Sequence, residues 1–134
     1  MNIQSILASM FSLKGDGRAA PPVQRLTARE AYDKLRAGEI TLIDVRTSEE
    51  WRQSGVPEGA GRATLQDQDF LKQVMQHAGS FEAPVAFICR SGQRSGQSAA
   101  QARSVGFTRV FNVVGGMEGP EGWLAERLPV TFPR

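Results

Sequence analysis

The chain is poor in the residues that most often bear metal and acid–base chemistry: among 134 residues it has one cysteine, Cys89, and one histidine, His77. A single cysteine excludes an internal disulfide and a thiolate metal cage built within the chain. No metal site and no cofactor are therefore expected. Aromatic residues make up only 7%, which gives no platform for stacking bases, and 16 Lys+Arg against 14 Asp+Glu leave a net charge of +2, too small to mark a nucleic-acid surface. No apolar stretch approaches the ~20 residues of a membrane span. The longest candidate, Met1 to Leu13, lacks the basic start and the cleavage-site context of a secretory signal, so the expected location is the cytoplasm.

What is present suits one globular domain. Apolar residues account for 40% of the chain and charged residues for 22% with nearly balanced signs, enough to fill a core and too little charge to keep the chain unfolded. Within residues 1–25, Ile3, Ile6, Leu7, Met10 and Phe11 fall at helical spacing and predict a short amphipathic arm, followed by the linker KGDGRAAPP at 14–22. Such an arm would dock on its own domain or on a sister subunit as a homodimer; no basic residues line its polar side for a membrane surface. Residues 26–134 then form the domain.

Helices and strands alternate through that domain. Thr27 with Glu30 and Thr47 with Glu50 have the spacing of capping boxes, predicting helices to about Arg36 and about Gln53. Asp67 to His77, Ser95 to Val105 and Glu121 to Arg127 have helical composition. Ile40 to Val45, Pro84 to Cys89 and Arg109 to Val114 are short apolar runs and read as buried strands, with a further short strand within Ala60 to Leu65. This alternation predicts an α/β three-layer sandwich, a parallel sheet with helices on both faces.

The chemistry gathers at one place. The only thiol, Cys89, stands at the carboxyl end of the strongest strand, where open α/β sheets form their ligand crevices. Arg90-Ser91-Gly92-Gln93-Arg94-Ser95 follows it as a polar, glycine-bearing loop that opens a helix. Successive backbone N–H groups in such a loop can turn inward as an anion nest, and the helix start adds its own partial positive charge. With two guanidiniums bracketing the loop, the expectation is a Cys89 thiolate at neutral pH. The ordinary fate of a strand cysteine is inert burial, and the loop is what argues against it here. His77 lies on a polar helix and is expected to be a solvated residue, so no general base is foreseen.

These segments resemble the rhodanese-like sulfurtransferases. The likeness rests on Thr41-Leu42-Ile43-Asp44-Val45-Arg46 followed by Glu49-Glu50-Trp51, on Gly55-Val56-Pro57 before Gly59-Ala60, on the loop Cys89 to Ser95, and on Val113-Val114-Gly115-Gly116 with Trp123. It spans about Leu26 to Val130 in order and spacing. The resemblance implies a five-stranded parallel sheet and transfer of a sulfane sulfur from thiosulfate or a related small anion. In that reaction Cys89 becomes a persulfide and yields its sulfur to cyanide or a thiol. The arginines would meet the sulfonate end of the donor. Asp44 would help order the loop, Arg46 would pair with Glu50, and Gly115 and Gly116 would let the backbone pass close to the loop.

With no second thiol in the chain, the acceptor must come from outside, as a small thiol, a reduced thioredoxin-like protein or cyanide. Ser54-Gly55 in place of Gly-His, Glu58 within the turn, and Glu118 to Gly122 before Trp123 depart from the family pattern, the last near the expected pocket mouth.

Two rival readings are weaker. Cysteine phosphatases and arsenate reductases use Cys-x5-Arg, whereas Arg94 follows Cys89 after four residues, one short of a loop that encircles a tetrahedral oxyanion. A non-catalytic binding module would carry an inert Cys89 that reacts with thiol reagents only near its ordinary ionisation range.

Overall fold

The computed structural model describes residues 22–133, so the predicted arm and nearly all of the linker fall outside the described residues. The sheet begins earlier than the sequence suggests, with β1 at Gln24–Leu26, straddling the expected start of the domain at residue 26. The chain continues through α1 (Ala28–Arg36), β2 (Thr41–Asp44), α2 (Ser48–Ser54), β3 (Val56–Pro57), β4 (Gly61–Arg62), α3 (Phe70–Ala78), β5 (Val85–Ile88), α4 (Gln93–Ser104), β6 (Val110–Val113) and β7 (Val130–Thr131). Five strands pair in the order β1-β6-β5-β2-β4, all parallel, while β3 and β7 form a separate antiparallel pair. The expected α/β sandwich with a five-stranded parallel sheet is what the chain forms.

Both predicted capping boxes form. The Thr27 hydroxyl accepts from the Glu30 N–H and the Glu30 carboxylate accepts from the Thr27 N–H, and Thr47 and Glu50 repeat the exchange. The central strands are buried on both faces, and side chains alternate between two cores. Ile43, Val85, Phe87, Cys89 and Val110 pack with Phe70, Leu71 and Val74 of α3 and Ala99 and Ala102 of α4. Leu42, Ala86, Ile88, Phe111 and Val113 face the other way, against Ala28, Ala31, Met117 and Trp123. Cys89 therefore leaves β5 on the face covered by α4.

One predicted helix is absent. Glu121 to Arg127 is a run of turns, in which Glu121 and Arg127 take positive φ of 58° and 56°. Backbone bonds there run Trp123 to Gly116, Leu124 to Met117 and Leu128 to Trp123, in place of a continuous i to i−4 ladder. Trp123 is buried as its indole N–H donates to the Pro129 carbonyl at 2.8 Å and its ring meets Tyr32 edge-on. Fixing this one large side chain decides the path of the segment.

Candidate active site

The thiol sits where β5 ends and α4 begins. Gly92 is the N-cap of α4 with φ of 104°, a conformation open to glycine, and a Cβ there would lie 2.6 Å from the Val114 carbonyl oxygen. α4 starts at Gln93, two residues before the predicted Ser95. This tight entry turns the loop amides inward. The Gly92 N–H donates to Cys89 Sγ at 3.1 Å, and Sγ lies 3.3 Å from Ser95 Oγ. Cys89 and Ser95 are both fully buried.

Burial alone would push the Cys89 thiol up, but bonds from the Ser95 hydroxyl and from the Ser95, Gly92 and Ser91 amides outweigh it, and the thiol titrates below its ordinary range. The expected anion cradle is thus made of amides and one hydroxyl. Neither guanidinium bonds to Sγ, although Arg94 lies near enough to Cys89 to feel its charge. Arg90 is 65% exposed and pairs with Glu118 at 3.2 Å. Arg94 is held bidentate by Glu50, at 2.7 and 2.8 Å.

This corrects the expected Arg46–Glu50 pair. Arg46 precedes the N-cap Thr47, so the i to i+4 geometry of a helix does not bring it to Glu50. It is instead fully buried against Asp44, at 2.8 Å, and donates to Ser54 Oγ and the Gly55 carbonyl. Asp44 accepts from the Arg46 side chain and backbone N–H, so any ordering of the loop by Asp44 runs through Arg46. Gln93 begins α4 and has no contact with Sγ among the bonds described.

The loop is braced from behind. The Met117 and Glu118 amides donate to the carbonyls of Cys89 and Arg90 at 2.8 and 2.9 Å. Gly116 permits this approach: a Cβ on it would stand 2.5 Å from the Arg90 oxygen and 2.8 Å from that of Cys89. The close passage expected of the glycine pair is present at Gly116. Asn112, which sequence reasoning passed over, accepts from Ser95 Oγ at 2.6 Å and donates to the Gly92 carbonyl at 3.2 Å. Its signal was a lone amide interrupting the apolar run Val110-Phe111-Asn112-Val113. Beside the loop, Val23, Arg25, Ser91, Gly92, Asn112 and Val114 line an open groove of about 270 Å³.

Glu50 joins two local structures, since its carboxylate closes the α2 capping box and clamps the loop through Arg94. Arg94 chiefly, with Thr47, holds its carboxyl at about 2, well below the usual carboxylate range, against the opposing effect of burial. A depressed carboxylate pKa stabilises the fold fully above about 4.5, and that stabilisation is lost as the pH falls through about 2. Glu50→Gln should therefore cost about 1–2 kcal/mol at pH 7, where a partly exposed charged pair is screened but doubly bonded. In urea melts across pH, the gap between the two proteins should narrow toward the acid end; a gap independent of pH would contradict the ionic clamp.

Residues 27–123 match the family described as Rhodanese-like domain. An uncharacterized protein of Rickettsia conorii is 31% identical over 121 residues, which cover 82% of this chain and 98% of that one. Thiosulfate sulfurtransferase GlpE of Haemophilus influenzae is 28% identical over 109 residues, covering 81% of this chain and 95% of its own. Among solved structures, the polysulfide-sulfur transferase homodimer of Wolinella succinogenes superposes with a TM-score of 0.68 at 25% identity, covering 99% of this chain and 95% of that one.

Proposed function

Because the chain belongs to the rhodanese-like domain family, we propose that it moves a sulfane sulfur from thiosulfate, or a related small anionic donor, through a persulfide on Cys89 to cyanide or an external thiol. The GlpE and Wolinella relatives support sulfur transfer in general, the one named for thiosulfate and the other for polysulfide. The observation that carries the reading is the Gly92 N–H aimed at Sγ within a loop that lowers the thiol's pKa.

In the first half-reaction the Cys89 thiolate attacks the outer sulfur of thiosulfate. An Sγ–S bond forms, the bond to the sulfonate sulfur breaks, and its electron pair leaves with sulfite. The charge now sits on the outer sulfur of the persulfide. In the second half-reaction cyanide or a thiolate attacks that outer sulfur, and the Sγ–S electron pair returns to Cys89. No separate base is called for in this reading, because the cradle favours the thiolate. Residues Arg90, Ser91, Gly92, Gln93, Arg94 and Ser95 form the binding loop in this reading, with Asp44, Arg46 and Glu50 supporting it.

A thioredoxin-like protein would serve as acceptor as well as a small thiol, and the setting would be the cytoplasm. No helix among the described residues is long and apolar enough to cross a membrane. A homodimer, as in the Wolinella protein, is part of the proposal and would show in sedimentation.

The test is intact-mass spectrometry after incubation with thiosulfate. The protein should gain one sulfur atom, lose it on adding cyanide, and release sulfite in equal amount. No mass gain with thiosulfate or with polysulfide would overturn the sulfur-carrier reading. Gain with polysulfide alone would overturn the choice of thiosulfate.

A further inference from the structure

We propose that Asn112 sets the ionisation of Cys89 by deciding which neighbour receives the Ser95 proton, making it a positioning residue for the sulfur transfer proposed above, on which its catalytic meaning rests. The Gly92 carbonyl can only accept a hydrogen bond. The amide nitrogen of Asn112 must therefore face it, at 3.2 Å, and Oδ1 must face Ser95. Since Oδ1 also only accepts, the single Ser95 proton points at Asn112 across 2.6 Å. The lone pairs of Ser95 Oγ are then left for Sγ at 3.3 Å.

That arrangement suits a thiol, whose S–H can donate to Ser95. It opposes a thiolate, which would face oxygen lone pairs. When Cys89 ionises, the Ser95 hydroxyl swings from Asn112 to Sγ, and Oδ1 loses its donor. When the persulfide forms, the charge moves out to the terminal sulfur and the proton can return to Asn112. Asn112 thus competes with the thiolate for one proton, in a site where both Ser95 and Cys89 are buried.

The brace on the loop is a separate and weaker duty. The Gly92 carbonyl also accepts from the Gly96 N–H at 3.1 Å, so removing the Asn112 amide does not orphan it. The charged groups around Cys89 have partners of their own. They are Arg94 with Glu50 from α2, Asp44 of β2 with Arg46, and Arg90 with Glu118 from the turn after β6. Arg25 of β1 lies in register with Asn112. None of these pairs includes Ser95 or Asn112, so exchanging the Asn112 side chain changes the proton competition directly.

The test follows thiolate ultraviolet absorbance against pH in the full chain, with no sulfur donor present. Asn112→Leu removes the competing acceptor and should lower the midpoint by about one pH unit, a tenfold rise in thiolate on the acid side. Asn112→Asp keeps the acceptor, adds negative charge and should raise the midpoint by a similar amount. In a Ser95→Ala background the Asn112→Leu shift should vanish. If both Asn112 variants moved the midpoint upward, or if the Asn112→Leu shift survived without Ser95, the competition would be wrong and Asn112 a mere brace. Because the titration needs no donor, a protein that titrates as expected yet takes up no sulfur would sink the sulfurtransferase reading and leave this one standing.

Discussion

Cys89→Ser is expected to lower sulfur transfer by several orders of magnitude while leaving the fold's stability within about 1 kcal/mol. The two side chains differ by one atom, and the cradle offers a serine hydroxyl the partners it offers the thiol, namely the Gly92 N–H and Ser95 Oγ. Chemistry separates them. The loop lowers the pKa of a thiol, a group that ionises far more readily than a hydroxyl. A hydroxyl is too basic for three amides and one hydroxyl to ionise, and no second thiol exists in the chain to take over. The assay pairs cyanide-dependent turnover with intact mass and a urea melt. A variant that unfolds easily but still transfers sulfur would reverse the assignment and make Cys89 a packing residue.

The wild-type pH profile belongs to the same result. A depressed thiol pKa means that the loading rate should reach its plateau at a lower pH than an ordinary thiol would allow, and fall below that as Cys89 protonates. A rate still climbing through the ordinary thiol range would show that the cradle does not activate the thiol.

How far the site could be read from the sequence follows from how local each interaction is. Thr27 with Glu30 and Thr47 with Glu50 lie three residues apart, so their capping boxes are written in the spacing itself. Cys89 and its loop are likewise contiguous: an apolar strand, a glycine with positive φ and a helix start are all visible in one short segment. The partners of the arginines are not. Arg94 finds Glu50 across 44 positions, and Arg90 finds Glu118 in the turn after β6, both brought together by the order of strands in the sheet. β1 was hidden for the same reason, because Gln24 and Arg25 are exposed and polar and only the pairing with β6 makes the segment a strand. Glu121 to Arg127 has helical composition but is shaped by the burial of Trp123, a tertiary demand that overrides local preference.

The largest stability effect is expected at Arg46. Its guanidinium is fully buried and reaches four acceptor atoms: two Asp44 carboxylate oxygens, Ser54 Oγ at 2.7 Å and the Gly55 carbonyl at 2.6 Å. It thereby ties the end of β2 to the end of α2, and α2 carries the Glu50 that clamps the loop through Arg94. Arg46→Met keeps the bulk and removes every donor, leaving the Asp44 carboxylate buried with only the backbone N–H of residue 46. Breaking a buried pair from one side costs about 3–5 kcal/mol, a large share of the ~5–15 kcal/mol that holds a domain together. Asp44→Asn combined with Arg46→Met should cost less than Arg46→Met alone, because the second change removes the stranded charge. Urea midpoints of the wild type and the three variants close the cycle. Should the double variant be less stable than Arg46→Met by the full cost of Asp44→Asn, the two residues would be acting independently, and the buried pair would not be what joins β2 to the helix that steadies the loop.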